Sequence, residues 1–347
     1  MPYRVLLHWL KNAIKMPFAR NGVFQPYFAA YYVTTRCNLA CSFCDDGNAS
    51  KYPDIPCSEM NTEETKKMLG ILVEDCPSIY FTGGEPTIRP DIIELCRFSR
   101  EIGFRPVALN TNGSLLHKCD DILDHIDQLV VSLNTLDLDK YGRIAGVRKT
   151  VVQQIHENIV RYAKQQKERS FNMTVNCVVN EDTIDDTPAL MDFCFARGVS
   201  FSLVPQISEN YPDRGLKGNP KWERLVDYVL EQKKKGRRVF NSEFFLHSVR
   251  GFASFDCCPS LVPHIYPTGR LLYPCQKIQD IECDINEIGS YRKAVNWARQ
   301  QAGPAPECDN RCHLACYMES SMRTRRPVRH FLHRYKRPAK CAGIDAE

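Results

Sequence analysis

The chain has 347 residues, 43% of them hydrophobic, enough apolar surface for one large domain and a smaller one, and no run of 18 apolar residues that would read as a membrane-spanning helix. Seventeen cysteines without a signal-peptide pattern in the first twenty residues argue for metal or redox chemistry rather than a secreted disulfide framework, and for a cytoplasmic protein. The net charge of +5 is uneven: residues 321–347 carry a surplus of six positive charges, and the other 320 residues sum to −1.

Residues 4–18 read as an amphipathic helix, with Arg4, His8, Lys11, Asn12 and Lys15 on one face and Leu6, Leu7, Leu10, Ala13 and Ile14 on the other. From residue 28 to about 205, strand-like and helix-like segments alternate. Strands are expected at Phe28–Thr34, Ser78–Phe81, Arg105–Leu109, Gln128–Leu133, Phe171–Val179 and Val199–Val204. Helices are expected between them, near 61–73, 89–102, 115–124, 150–167 and 184–197, the first opened by a capping-box pattern, Asn61-Thr-Glu-Glu64. Six strands separated by helices imply a parallel sheet with right-handed crossovers, an α/β fold of partial (β/α)6 barrel type whose site lies at the carboxyl ends of the strands. Residues 206–254 read as a linker and a charged helix, 255–320 as a cysteine-dense α+β extension, and 321–347 as a basic tail. Such a tail suits an anionic membrane surface, a nucleic acid or an acidic substrate, or is simply solvated, and nucleic acid is not the expected partner; the helix at 4–18 reads as packed on the main domain, with membrane-surface binding as the alternative.

Three groups of residues fall at strand ends. Cys37, Cys41 and Cys44 stand at C-x3-C-x2-C directly after the first strand. Thiolates in this number select an iron–sulfur cluster or zinc, and three protein ligands leave a coordination position for something else. No nearby Cys or His completes a zinc tetrad: Cys57 is thirteen residues on, and His is absent from residues 9–116. Gly83-Gly84-Glu85-Pro86 follows the second strand; its glycines permit backbone positions closed to other residues, and Glu85 is a hydrogen-bond acceptor for an ammonium. Asn110 and Asn112 close the third strand, Ser132 and Asn134 the fourth, and Asn176 lies on the fifth.

On these motifs the chain resembles the radical S-adenosylmethionine (SAM) superfamily, strongly over residues 28–205. Phe43, before the last cysteine, fits the same pattern. The resemblance implies a [4Fe–4S] cluster on Cys37, Cys41 and Cys44, with SAM chelating the fourth iron. It also implies SAM contacts from Gly83, Gly84, Glu85, Pro86, Asn110, Asn112, Ser132, Asn134 and Asn176, with Asn134 standing where Asp is usual. The implied activity is reductive cleavage of SAM to a 5′-deoxyadenosyl radical that abstracts hydrogen from an unactivated C–H bond, with flavodoxin or ferredoxin as electron donor.

More loosely, residues 255–320 resemble the SPASM or twitch extension, which carries auxiliary clusters. Pro267-Thr-Gly269 and Tyr273-Pro-Cys275 carry the likeness. The usual Gly-to-Cys spacing is one residue shorter, and only a C-x3-C-x3-C string is present. One auxiliary [4Fe–4S] cluster is expected, on Cys258 or Cys257, Cys275 and two of Cys308, Cys312 and Cys316. The expected substrate is a membrane lipid or a peptide or protein side chain. A non-catalytic zinc- or RNA-binding protein is the alternative, and it leaves the Gly-Gly-Glu-Pro turn unexplained.

Overall fold

A computed structural model describes residues 2–18, 22–44, 58–208, 211–278, 281–303 and 312–325. Six parallel strands run in chain order: β1 Ala29–Tyr32, β2 Ile79–Thr82, β3 Val107–Thr111, β4 Gln128–Ser132, β5 Asn172–Val179 and β6 Ser200–Pro205. A short antiparallel pair follows, β7 Ile207–Ser208 and β8 Tyr211–Pro212. The C-terminal strands β9 His264–Ile265, β10 Arg270–Tyr273 and β11 Ile281–Asp284 complete the main sheet, in the order β11-β10-β9-β1-β2-β3-β4-β5-β6. β9 lies parallel to β1, and β10 and β11 are antiparallel. The architecture is α/β with an open, partial barrel.

The helices are α1 Tyr3–Lys15, α2 Thr62–Asp75, α3 Ile92–Glu101, α4 Leu138–Ala145, α5 Lys149–Gln165, α6 Thr187–Phe195, α7 Pro220–Lys234, α8 Glu243–Gly251, α9 Ile285–Ile288, α10 Tyr291–Ala302 and α11 Ala315–Arg325. α2 opens with the expected capping box: Asn61 Oδ1 accepts from the Glu64 amide, and Glu64 Oε2 from the Asn61 amide, both at 2.9 Å. The helix expected over 115–124 is instead two 3-10 turns, Leu116–Lys118 and Asp120–Asp124, broken at Cys119 (φ −136°, ψ 41°). α4 is an element that the expected helices do not include.

Strand pleat divides the sheet into two chemistries. Odd-numbered residues Tyr31, Phe81, Leu109, Val131, Val175 and Phe201 are fully buried and join the crossover helices in the main apolar core. Even-numbered residues on the other face are more polar: Tyr32, Tyr80, Thr82, Asn110, Ser132, Thr174, Asn176 and Ser202. The helices therefore cover one face, and the polar face is left for a site.

α1 forms where its amphipathic pattern predicts, but its polar face is the one turned to the protein. His8 and Asn12 are buried, whereas Leu6, Leu10 and Ile14 are exposed. Among the described residues no helix is long and apolar enough to cross a membrane.

Candidate active site

The cysteine loop leaves β1 through Val33, Thr34 and Thr35, all buried. Thr34 Oγ1 accepts from the Arg36 amide (3.0 Å) and donates to Glu59 Oε1 (2.5 Å), and Arg36 pairs with the same carboxylate at 2.9 Å. Leu39, buried, plugs the loop into the core, against which Cys37 and Cys41 also pack. The far side is held by α4. Ala40 and Ser42 amides donate to the carbonyls of Ala145 and Ile144, both at 2.9 Å. These are last-turn carbonyls that a helix leaves without partners of its own. Gly146 ends α4 at φ +65°, and a Cβ there would sit 3.1 Å from Ala40 Cβ and from Ala40 O. The three thiols are thus carried on a loop pinned at both flanks; Phe43 and Cys44 end its described part, and none of the three is in a disulfide. Burial pushes the Cys37 thiol up, the Leu39 amide on its sulfur lowers it, and the Glu85 carboxyl adds to the rise.

The Gly-Gly-Glu-Pro turn lies directly on this loop. Gly84 N donates to Thr34 O and Glu85 N to Arg36 O, both at 2.8 Å. A Cβ on Gly83 (φ +132°) would meet Thr34 O at 2.3 Å, and one on Gly84 would meet Arg36 O at 2.1 Å. Both glycines are therefore required by backbone-to-backbone approach. Glu85 is fully buried. Its Oε1 accepts from Thr87 N (3.0 Å), Thr87 Oγ1 (2.5 Å) and Thr111 Oγ1 (2.6 Å), and its Oε2 from Asn112 N (2.7 Å). Burial raises its pKa, and these four donors oppose the rise. The carboxylate thus ties the end of β2 to the end of β3. Pro86 is buried and opens a 3-10 turn.

Asn112 Nδ2 donates to Asn38 Oδ1 (2.9 Å), and its Oδ1 accepts from Ser114 N (2.9 Å) and Ser114 Oγ (2.6 Å). Asn110 Nδ2 reaches Thr82 Oγ1 at 3.4 Å, while its Oδ1 is buried with no partner. Ser132 pairs in register with Asn176, both half-buried. Asn134 is buried, its Oδ1 accepting from Val178 N at 3.0 Å. Asn110, Ser132 and Asn176 thus line the polar face, whereas Glu85, Asn112 and Asn134 are engaged with the protein.

The residues fit the implied groups. Three thiols are the donor chemistry of a cluster, and Asn110 Oδ1, on the polar face of the sheet, is a buried acceptor without a donor. Among the described residues no three His, Cys, Asp or Glu side chains converge on a point that would hold a single metal ion. A cubane asks for no such convergence, since each thiolate binds a different iron.

A second set of cysteines lies beyond β1 on the C-terminal side. Cys257, Cys258, Cys275 and Cys316 pack around one apolar cluster with Tyr27, Leu261, Val262 and Tyr317. Burial pushes the Cys316 thiol up to about 12, and the neighbouring Cys312 and Cys275 add to the rise. Cys316 Sγ is 3.9 Å from Nε2 of buried His264, whose Nδ1 meets Tyr317 OH at 2.8 Å. Tyr317 OH in turn accepts from Gln276 N at 3.0 Å. Cys312 is half-buried, and Cys308 lies outside the described residues. Neither His264 nor Tyr317 is singled out by the sequence; the only local signal is that each adjoins a cysteine motif.

A model of the Radical SAM superfamily matches residues 31–194. The probable GTP 3',8-cyclase of Pyrococcus abyssi is 32% identical over 228 residues, 60% of this chain and 69% of that protein. The probable GTP 3',8-cyclase of Methanococcus maripaludis is 26% identical over 197 residues; the match spans 52% of this chain and only 61% of that relative's length. Among solved structures, Streptococcus suis SuiB bound to S-adenosylmethionine superposes with a TM-score of 0.59 at 21% identity, covering 83% of this chain and 67% of that one. SuiB bound to its precursor peptide SuiA gives 0.58 at the same identity, covering 83% and 68%. At that identity the likeness speaks for the fold.

Proposed function

The chain belongs to the radical SAM superfamily, and from that premise we propose that Cys37, Cys41 and Cys44 hold the [4Fe–4S] cluster and that SAM lies along the polar face of the sheet beside them. The family's enzymes use this cluster and SAM, so the zinc- or RNA-binding alternative falls away. When bound, the two supply a 5′-deoxyadenosyl radical that abstracts hydrogen from an unactivated C–H bond of the substrate.

The single observation that carries the residue assignment is the pinned loop. Three thiols stand between the Gly-Gly-Glu-Pro backbone and the carboxyl end of α4, with the unpartnered Asn110 Oδ1 on the adjoining face. In this reading Gly83 and Gly84 keep the turn flat against the cysteine loop, Pro86 fixes its exit, and Glu85 and Asn112 hold β3 in register with it. Asn110 Oδ1 accepts a hydrogen bond from SAM, Ser132 and Asn176 line its bed, and Asn134 fixes the wall behind. Cys258 or Cys257, Cys275 and two of Cys308, Cys312 and Cys316 hold one auxiliary [4Fe–4S] cluster. Electrons come from flavodoxin or ferredoxin, and the enzyme works in the cytoplasm with peripheral membrane contact through residues 1–18 and 321–340.

For the substrate, α1 and the basic run support a membrane lipid, and SuiB with its precursor peptide supports a peptide or protein side chain. A purine nucleotide is a second reading, supported by the names of the cyclase relatives and by the polar inner face.

The test is anaerobic cluster reconstitution of the wild type and a Cys37/Cys41/Cys44→Ala triple variant, with iron counting and dithionite-driven SAM cleavage. Cleavage by the wild type alone, with one cluster's iron left in the variant, is the expected result. Cleavage by the variant, or zinc in place of iron, would overturn the assignment. The same assay with GTP, a lipid extract and a peptide library ranks the substrate classes by the 5′-deoxyadenosine each elicits.

A further inference from the structure

α1 is amphipathic in the sense opposite to that of a helix packed on a globule. Its polar side chains bind the protein. Arg4 donates to Val73 O (2.5 Å) and Glu74 O (3.2 Å). His8 Nδ1 meets Pro26 O at 2.7 Å, Asn12 makes two 2.8 Å bonds with the Gln25 backbone, and Lys15 Nζ donates to Val23 O at 2.7 Å. These carbonyls and amides lie in loops and at a helix end, where they need side-chain partners, and α1 supplies them.

The opposite stripe is apolar and open. Tyr3 is 77% exposed, Leu6 36%, Leu10 45% and Ile14 71%, with Phe18, one turn on, at 89%. Eight large apolar side chains are exposed among the described residues, and five of them form this one stripe, so it is a patch rather than scatter.

Charge identifies the occupant. Residues 1–44 contain Arg4, Lys11, Lys15, Arg20 and Arg36 and no acidic residue. α11 ends beside α1: Trp9 Nε1 donates to Arg323 O (3.4 Å), and Tyr27 OH meets Thr324 Oγ1 (2.7 Å). The described chain therefore ends at Arg325 beside α1, and the sequence that follows is basic. A second copy of α1, or this chain's own basic tail, laid on the stripe would bring like charges together. An anionic bilayer brings the opposite charge and an apolar phase at once.

We propose that α1 lies in the plane of an anionic lipid surface, apolar stripe inward, with its polar face serving as the weld to the enzyme. This deepens, and rests on, the reading of peripheral membrane contact. Its thirteen residues span about 20 Å at 1.5 Å each, too short to cross. The welded carbonyls precede β1 or end α2, and the cysteine loop leaves the other end of β1. Docking therefore seats the enzyme by the end of the sheet opposite the reaction mouth. It fixes location and orientation with the reaction mouth turned from the bilayer, which favours the peptide or protein side chain over the membrane lipid as substrate.

The test uses the full-length, reconstituted enzyme with phosphatidylcholine vesicles, with and without phosphatidylglycerol. Co-sedimentation with the anionic vesicles that weakens with salt is expected for the wild type. Leu10→Gln/Ile14→Gln/Phe18→Gln should lose at least about tenfold in partitioning, with unchanged iron content and unfolding temperature, since those side chains support no core. No wild-type sedimentation with either vesicle would sink membrane contact altogether. Undiminished sedimentation of the triple variant would sink the α1 surface while leaving the basic tail as anchor. A wild-type dimer that the variant converts to monomer would assign the stripe to a second copy instead.

Discussion

At the scale of single residues, the polar groups around the cysteine loop divide into those whose bonds are complete and those whose bonds are not, and the two should respond oppositely to substitution. Asn110 keeps a buried Oδ1 without a partner. Replacing it by the near-isosteric Leu removes that burden, so Asn110→Leu should unfold at the same or a higher temperature, yet bind SAM about tenfold more weakly by calorimetry. Glu85 is the converse. In Glu85→Gln one amide N–H must face the Asn112 N–H or the three donors on Oε1, which should cost roughly 1–3 kcal/mol in urea unfolding. Burial raises the Glu85 pKa from 4.5, so the folded state holds its proton longer than the unfolded chain does. That contribution to stability is full below the ordinary value and is lost as pH rises through the raised one. The Gln variant should lack this slope, and urea midpoints measured from pH 4 upward would reveal it. The Gly-Gly-Glu-Pro turn was legible because close backbone approach restricts residue type, and the cysteine loop because it follows the first strand directly. Asn38, His264 and Tyr317 were not, because their significance lies in distant partners: Asn112 for the first and Cys316 for the second.

At the scale of elements, α4 shows why a short helix escapes a periodicity argument while mattering to the site. Only Tyr141, Gly142 and Ala145 are buried in its eight residues, too few to repeat a pattern. Its end signals were nonetheless written in the chain: Asp137 caps the Asp139 and Lys140 amides, and Gly146 takes the left-handed turn. Gly146→Val should destabilise by roughly 2 kcal/mol or more from the positive φ alone. Crowding of Ala40 adds to that and loosens the Cys37–Cys41 segment. The expected signature is selective: chelator should strip the iron proposed for Cys37, Cys41 and Cys44 faster than from wild type, while the iron proposed for the C-terminal set is retained at the wild-type rate. Equal loss from both sets would mean that the variant simply unfolds. α1 teaches the complementary lesson. Periodicity found both of its faces, but which face packs was decided by the carbonyls of Val23, Gln25, Pro26 and Val73 that its polar side chains bond, which no local pattern announces.

At the scale of the whole molecule, the cysteine-dense C-terminal region joins the barrel sheet itself. β9 is two residues long and lies against β1, with Ala30 N donating to Pro263 O (2.9 Å) and Tyr27 N to Leu261 O (2.8 Å). So brief a parallel strand, more than 230 residues from its partner, carries no sequence signal, whereas the six barrel strands, each with its crossover, do. The apolar cluster of Met16, Phe24, Tyr27, Ala30, Leu261, Val262 and Tyr317 draws α1's flank, β1 and the C-terminal region together. An appendage hinged on a barrel would open without unfolding it, and the Ala30 and Tyr27 amides would then exchange with solvent orders of magnitude faster than the Val33 amide, which bonds Thr82 O inside the barrel. The shared cluster argues for the other outcome. Opening β9 from β1 exposes Tyr27 and Tyr317 together, and burying aromatic side chains of that size stabilises by roughly 2–3 kcal/mol each. Hydrogen exchange on the intact, reconstituted enzyme should therefore find Ala30 and Val33 protected to the same degree, so that both cysteine sets are lost in one cooperative step.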